Sequence, residues 1–435
     1  MPLPTTAAPG VSRRTVLRSA AAGLGLAATA GCMTASGSDA ITLLDWETVP
    51  GTPLGDAIEV FQKKTGIRVD VQPTPTSDYD TKLRTVMSSG APPDIVRMND
   101  DYVRGYSANG QLVDLAPFLR QDGFRSADYF ERAWRFPIQP NGEHTALCVG
   151  TQPCVIFYNV DAFRAAGVPL PPTTWTDENW KWDDFLAAAK KLTVPGKRWG
   201  VLMYDDTSAE TTCTVNNGDP TGIYSADGRE FTLASPAGIE GIQWLADLTH
   251  KHHVQVPWSQ LQPDSTTNFD DSLFVQGKVA MVSRAYGIAP YFSQNVKDFT
   301  WDIAPIPGNK GQTTIATMIV WALPKQGRNH HQAWQLLKFL SDGEGAEILA
   351  RQHNYVPANH EVARQLRSNG KPPAHLDLLS AAIEHATNEN VSPNVDRART
   401  IYRPQLESVW NGEKSAAEVL TSVKGQVDRA LAGKF

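Results

Sequence analysis

Residues 41–96 read ITLLDWETVPGTPLGDAIEVFQKKTGIRVDVQPTPTSDYDTKLRTVMSSGAPPDIV, and their patterning decides the fold class. Residues 41–44 form a short apolar run that predicts a strand. Residues 54–64 place Ala57, Ile58 and Phe61 on one helical face. Residues 67–71 alternate as a second strand, and 79–89 predict a second helix stopped by Gly90. Residues 93–96 give a third strand, followed by a helix through Tyr106. This βαβαβ opening implies an α/β fold with a mostly parallel sheet and helices on both faces. Binding crevices in such sheets lie beyond the carboxyl ends of the strands. Trp46, Glu47, Asp100 and Asp101 follow predicted strands and are therefore candidate site residues on topology alone.

The same alternation continues down the chain. Strands are predicted at 155–158, 200–204, 279–282 and 319–323, and helices at 182–192, 236–250 and 331–340. A single amphipathic helix is expected at 411–435. Trp244 and Trp334 fall on the apolar period of their helices and read as core. There is no internal repeat, and about 400 residues exceed what one core usually holds, so two domains are expected.

Upstream, residues 12–32 read SRRTVLRSAAAGLGLAATAGC. The pair Arg13-Arg14, a run of small apolar residues and the closing Cys32 have the layout of a twin-arginine export signal ending at a lipidated cysteine. The apolar run is too short to span a bilayer. Thr29 stands where such signals usually carry Leu, and a Sec-type signal with a chance arginine pair is the alternative. Residues 1–31 are expected to be removed and 32–39 to act as a tether, with the protein held on the extracytoplasmic face of the cell membrane. Removal takes away three of the 40 basic residues and none of the 46 acidic ones, moving the net charge from −6 to −9. That balance argues against nucleic acid and against a polybasic membrane contact. With Cys32 lipidated, Cys148, Cys154 and Cys213 allow at most one disulfide, and the sequence does not choose the pair.

Several blocks, in order, then carry a specific resemblance: FQKKTGIRV (61–69), GAPPDIV (90–96) with YSANG (106–110), FYN (157–159), and AGVP (166–169) with PTTW (172–175). FVQGKVAM (274–281), PIPG (305–308), ALPK (322–325) and YVPA (355–358) complete the series. Together they resemble the extracellular solute-binding lipoproteins of bacterial ABC importers, in the carbohydrate-binding group that includes maltose-binding proteins. The resemblance implies a two-lobe periplasmic-binding-protein-like fold whose hinge is crossed three times, near Gln152, at 301–305 and at 354–357. The implied lobes are 40–152 with 305–355, and 153–304 with 356–435. It also implies a monomer that needs no cofactor and no metal, captures a sugar or oligosaccharide between the lobes and delivers it to a membrane permease.

Sugar binding asks for aromatic rings against the C–H face and for carboxylates and amides on the hydroxyl rim. By matched position the resemblance assigns Asp101 to ligand binding, with an N-cap as its alternative role. It puts Gln152 where the family has a Glu, and Tyr402 where it has a stacking Trp. Tyr286 lies beside the family's Trp position, which is Gly287 here, and Tyr204 and Asp205 face the cleft if their strand is correctly placed. Trp258 and Trp321 read as core near the cleft.

Other classes stay open. A secreted glycoside hydrolase would need paired carboxyls, which Asp100, Asp101 and Asp205 could supply. No GxSxG, HExxH or P-loop motif supports an enzyme. His250, His252 and His253 form a local cluster that ends a helix and reads as surface rather than metal site. A binding protein for a peptide, polyol or other non-sugar solute, and a sensory lipoprotein, are the remaining alternatives.

Overall fold

A computed structural model describes residues 40–46, 51–175, 180–204, 206–261, 271–351, 353–366, 368, 370–387 and 394–434, without the side chains of 76, 77, 99, 101 and 206–208. Residues from Ala40 onward form a single unit with ten strands among the described residues. These are β1 (Ile41–Asp45), β2 (Val69–Pro73), β3 (Ile95–Asn99), β4 (Leu147–Asn159), β5 (Trp199–Leu202), β6 (Val279–Ala285), β7 (Trp301–Ala304), β8 (Thr314–Ala322), β9 (Val356–Pro357) and β10 (Ala386–Thr387). The α/β architecture expected from the opening pattern is present.

The opening forms as its residues dictate. Helix α1 (Pro53–Thr65) starts with Thr52 Oγ1 accepting from the Gly55 N–H at 3.3 Å, has Pro53 in its first turn and buries Leu54, Ala57, Ile58 and Phe61. It stops at Gly66, whose φ of 74° is the left-handed cap that glycine adopts without strain. β2 therefore begins at Val69, two residues later than the alternation suggested. Helix α2 (Thr76–Ser88) follows, and helix α3 (Asp100–Ala108) leaves β3 directly. β1 pairs in parallel with both β2 and β3.

Strands run in the order β2-β1-β3-β8-β4-β6-β5. β5 and β6 are parallel, while β8 is antiparallel to β3 and β4, and β4 is antiparallel to β6. β4 is much longer than the 155–158 that its apolar run indicates. Gly150 and Pro153 look like strand breakers, but tertiary pairing carries the strand through them. Gly150 is required there, because a Cβ would lie 2.1 Å from the Tyr355 ring. The first part of β4 pairs with β8 and β9, and its last part with β6 and β7.

The connection from β7 to β8 is bonded to the β5–β6 half. Gly308 exchanges backbone bonds with Trp180 and Trp182, Lys310 N–H donates to the Asn216 carbonyl, and Trp175 Nε1 donates to the Gln312 carbonyl. In place of one terminal helix there are two. The helix Val395–Trp410 carries Tyr402 and an internal Pro404, and Ala416–Leu431 opens with a Ser415–Glu418 capping box. Cys148, Cys154 and Cys213 are all buried and none of the three possible bridges forms among them. Burial pushes the Cys148 and Cys213 thiols up to about 12, which keeps both as inert thiols. No described helix is long and apolar enough to cross a membrane.

His144 is 4% exposed, edge-on to Trp134, and burial pushes its imidazole down to about 4 against a weaker opposing pull from Asp114. The folded chain thus holds His144 neutral while the unfolded chain protonates it near 6.5. Its contribution is present above pH 6.5 and is lost as pH falls toward 4, which amounts to about 2 kcal/mol by pH 5. Urea unfolding at pH 7.5 and pH 5 should show wild-type losing about that much more stability than His144→Gln. Equal pH dependence in the two proteins would contradict the assignment.

Candidate functional site

The registers bring the carboxyl ends of both half-sheets to one place. Asn99, the last residue of β3, pairs with Ile319 of β8, and Ala285, the last of β6, pairs with Cys154 of β4. Between these two points lies the pair Gln152↔Thr317. Gln152 is the one residue of β4 that is not fully buried, and Thr317 is the one such residue of β8. The two long central strands therefore open toward solvent at a single rung, where the outgoing ends of β3 and β6 converge.

Side chains ring that opening. Gln152 Nε2 donates to the Asn354 carbonyl at 2.7 Å, tying β4 to the chain just before β9. Gly287, two residues past β6, lies beneath the Gln152 amide; a Cβ there would come within 2.5 Å of Nε2. A tryptophan at position 287 would displace Gln152, so Gly287 and Gln152 belong together. Asp100 opens α3, and its Oδ2 accepts from the Met318 N–H at 3.4 Å, beside Thr317. Trp46 is half-buried at the end of β1.

A buried charge pair supports this floor. Asp45 and Arg97 are 0% and 4% exposed, with Arg97 Nη1 donating to Asp45 Oδ1 at 3.2 Å. Trp321 Nε1 donates to the other Asp45 oxygen at 3.2 Å. The Arg97 guanidinium lies 3.9 Å from the Trp46 ring centroid, and Tyr79 meets the same indole edge-on at 4.9 Å. Tyr79 Oη donates to the Arg97 carbonyl at 2.7 Å, and burial holds that phenol far above its usual range. The second half repeats the device. Arg284, near the end of β6, donates from Nε to Asp271 Oδ1 at 2.7 Å and from Nη1 to the Tyr204 carbonyl at 2.8 Å.

The sequence-derived candidates thus fall into different places. Asp100 and Gln152 border the opening, while Trp46 follows β1, two strands over from β8, and packs on Arg97. Tyr204 is buried between Trp258 and Trp410, its hydroxyl 3.1 Å from Thr249 Oγ1. Tyr286 is 1% exposed. Tyr402 is 0% exposed, packs on Phe231 and donates to the buried carboxylate of Glu210 at 2.9 Å. In this conformation these three tyrosines offer no open ring face, in contrast to the stacking platform expected of Tyr402. Asp101 sits in the first turn of α3 with its side chain outside the described residues. Glu47, Asp205, Cys32, Arg13 and Arg14 also lie outside them. Trp334 is core as expected, and Trp321 is core with its N–H spent on Asp45.

The sequence reading missed Thr317 at the opening, Arg97 beneath Trp46, and Glu210 with Arg403 behind the buried Tyr402. Thr317 is a polar residue in the middle of an apolar strand, and that interruption was its only signal. Arg97, inside a predicted apolar strand, gave the equivalent hint. Glu210 and Arg403, 3.9 Å apart, left no local pattern. Among the described residues no cluster of His, Cys, Asp or Glu has the arrangement of a metal site.

Arg97→Met should destabilise the protein by ~3–5 kcal/mol, because it strands a buried Asp45 charge. The double variant Asp45→Leu/Arg97→Met should recover part of that loss in urea denaturation. A double variant no more stable than the single one would show that the pairing is not what matters. Tyr402→Ala should cost ~3–5 kcal/mol through the cavity it leaves. An unchanged unfolding midpoint would return Tyr402 to the ligand-facing set.

A family model described as bacterial extracellular solute-binding protein matches residues 56–374. A binding protein of Brucella abortus is 21% identical over 91% of this chain and 95% of its own length. An sn-glycerol-3-phosphate-binding periplasmic protein of Rhizobium meliloti is 22% identical over 75% of this chain and 77% of the relative. Among solved structures, an ABC substrate-binding protein of Listeria monocytogenes in complex with cycloalternan superposes with a TM-score of 0.79 at 24% identity, covering 91% of this chain and 99% of that one. The maltose/maltodextrin-binding domain of Bdellovibrio bacteriovorus bound to maltotriose gives 0.69 at 19% identity, covering 91% and 99%. The opening at the Gln152–Thr317 rung thus belongs to a shared fold, and this chain is a member of the bacterial extracellular solute-binding protein family.

Proposed function

We propose that this protein is the substrate-binding component of an ABC importer. It captures a sugar or oligosaccharide between two lobes and hands it, unchanged, to a membrane permease. The observation that carries this reading is the Gln152–Thr317 rung, the one point where both central strands meet solvent and where the ends of β3 and β6 converge. Solved neighbours hold cycloalternan and maltotriose, and relatives are named for small polyhydroxylated solutes, which supports a ligand rich in hydroxyls. The polar set at the rung suits such a ligand. Asp100 accepts, Gln152 and Thr317 both donate and accept, and Trp46, past the end of β1, supplies an apolar face.

The lobes follow from the same rung. The first comprises 40–152 with roughly 317–357, and the second comprises 153–316 with the remainder. The bonds of 305–313 to the β5–β6 half support drawing the boundary at Thr317 rather than at 305. Closure about β4 and β8 is then the working motion, and the ligand drives it only through contacts made better in the closed form. Arg13-Arg14 and Cys32 support twin-arginine export and lipid anchoring beside the permease. A second reading, a polyol or its phosphate as ligand, is favoured by relatives named for erythritol/L-threitol and sn-glycerol 3-phosphate.

Thermal-shift screening against mono- and oligosaccharides, polyols and polyol phosphates tests the reading. A true ligand at 100 times its Kd should add about 2.7 kcal/mol. Asp100→Ala should then weaken binding by ~1.5–3 kcal/mol in calorimetric titration, the worth of a charge-assisted bond. Chromatography should return the bound sugar intact. Stabilisation by none of the panel, or turnover abolished by Asp100→Asn, would contradict the proposal. Separately, Cys32→Ser should move the protein from the membrane fraction to the medium; membrane retention of that variant would contradict lipid anchoring at Cys32.

A further inference from the structure

β5 and β6 both run toward the rung, so their starts lie at the end of the second half-sheet farthest from it. Four separate segments bring cations to that end. Lys190 and Lys191 occupy the last turn of the helix Trp182–Leu192, where they complement its dipole. Lys197 and Arg198 lead into β5, Lys278 leads into β6, and Lys251 follows the helix Pro236–His250. Backbone bonds knit the segments together. The Trp199 N–H donates to the Lys278 carbonyl and the Gly200 N–H to the Val254 carbonyl, both at 2.9 Å. After burial, the nearby Lys190 and Lys251 lower the pKa of His252, which places the two helix ends side by side.

This charge is not balanced locally. The ammonium groups of Lys190, Lys191, Lys197 and Lys278 are exposed and make no hydrogen bond or ion pair among the described residues. Arg198 donates from Nε to the Leu192 carbonyl at 3.0 Å, and burial lowers its pKa with no carboxylate to oppose the shift. Lys251 has Asp247 at 3.9 Å. The adjoining β7 side brings Asp161 and Asp298, but Asp161 has Arg164 at 3.8 Å and Asp298 follows Lys297 in the chain. Helix dipoles account for Lys190 and Lys191 but not for Lys197 or Lys278, which precede strands. The acidic balance of the whole chain hides the cluster, because its members come from four segments. An apolar tip stands among these cations. Residues 193–198 turn back on themselves, with Val194 and Arg198 exchanging backbone bonds at 2.8 and 2.9 Å and Gly196 at a φ of 72°. The turn leaves Val194 37% exposed, close in the chain to the half-buried Trp199.

We propose that this end of the second lobe docks on a bilayer rich in anionic lipid, with the lysines over the headgroups and Val194 and Trp199 at the lipid–water boundary. Flexible, strongly hydrated ammonium groups suit a fluid array of phosphates, whereas ion pairs between proteins favour arginine and leave lysine depleted. An apolar tip ringed by cations and backed by an indole matches the boundary region of a membrane, and a soluble polyanion offers nothing to cover it. The starts of β1 and of β5 and β6 lie at opposite ends of β4, so lipid attached before β1 and this patch are two separate contacts. The docking presupposes the reading given above, in which the protein works at the membrane face.

Co-sedimentation of residues 32–435 carrying Cys32→Ser, a chain that keeps the whole unit from Ala40 onward and has no lipid, tests this. It should bind vesicles of equal parts phosphatidylglycerol and phosphatidylcholine, and not vesicles of phosphatidylcholine alone. Raising the salt from about 0.1 M to about 1 M shortens the screening length from about 10 Å to about 3 Å and should release it. Lys191→Glu/Lys197→Glu/Lys278→Glu should weaken binding roughly twentyfold or more, at ~fivefold for each cation lost, and the same three positions changed to Gln should weaken it by a smaller factor. Lys82→Glu/Lys325→Glu/Arg328→Glu, on the other lobe, should change it by less than about threefold. An environment-sensitive dye on Val194→Cys should shift its emission to the blue on the anionic vesicles, and the same dye on Lys63→Cys should not. Equal binding by the patch and control variants, equal binding to phosphatidylcholine alone, or binding insensitive to salt would overturn the assignment. Binding of soluble polyphosphate with none to vesicles would also overturn it and give the patch to a soluble polyanion. Sugar capture and the lipid at Cys32 are tested apart from this, by the sugar titrations and by the location of Cys32→Ser, so each reading can fail alone.

Discussion

Everything in this molecule depends on one strand being shared. β4 runs for thirteen residues, about 43 Å at the usual rise per residue, and belongs to the ladder of each half-sheet in turn. Its backbone groups are spent on β8 and β9 at one end and on β6 and β7 at the other. A buried backbone that is fully hydrogen-bonded cannot slip in register without losing those bonds. The two halves are thus fixed in order and orientation. The ladders change partners just past the Gln152–Thr317 rung, between Pro153 and Cys154, and the proposed closure places its bending there.

The charges buried on either side of the rung are costly features that serve geometry. Asp45–Arg97 and Asp271–Arg284 are both nearly inaccessible, and an apolar replacement of either pair could be as stable. What an apolar pair could not do is hold a cation over the Trp46 indole while fixing the end of β1 to Trp321, or tether the Tyr204 carbonyl to the end of β6. Each pair sets the path of the chain as it leaves a strand toward the opening. Asp94 works similarly at the other end of β3, accepting from Thr42 and from the Arg328 and Asn329 N–H groups; although burial alone would raise its pKa, these bonds hold it below the usual carboxylate range.

Much of the fold was legible because its signals were local. The period of residues 54–64 indicated α1, and the helices Trp182–Leu192 and Pro236–His250 appear with the bounds their apolar positions indicate. The first half of β4 was not legible, because Gly150 and Pro153 break the local pattern and only distant partners restore it. The site divides the same way. Trp46, Asp100 and Gln152 follow from strand order and matched position. Thr317 and Arg97 act through strands that neighbour them only in space. Tyr402 shows the limit of matching by position, since one face of the helix Val395–Trp410 meets Glu210 in the core, and a shift of a few residues along a helix exchanges a buried ring for an exposed one.

The most direct test is a distance across the rung. Spin labels at Lys63→Cys on α1 and Glu413→Cys beyond the helix Val395–Trp410 lie in opposite halves at exposed positions, and the three native thiols described here are buried. Pulsed electron spin resonance with and without the sugar that gives the largest thermal shift should show the distance distribution moving to a new, narrower maximum on saturation. An unchanged distribution under conditions where calorimetry registers full binding would contradict capture by closure about β4.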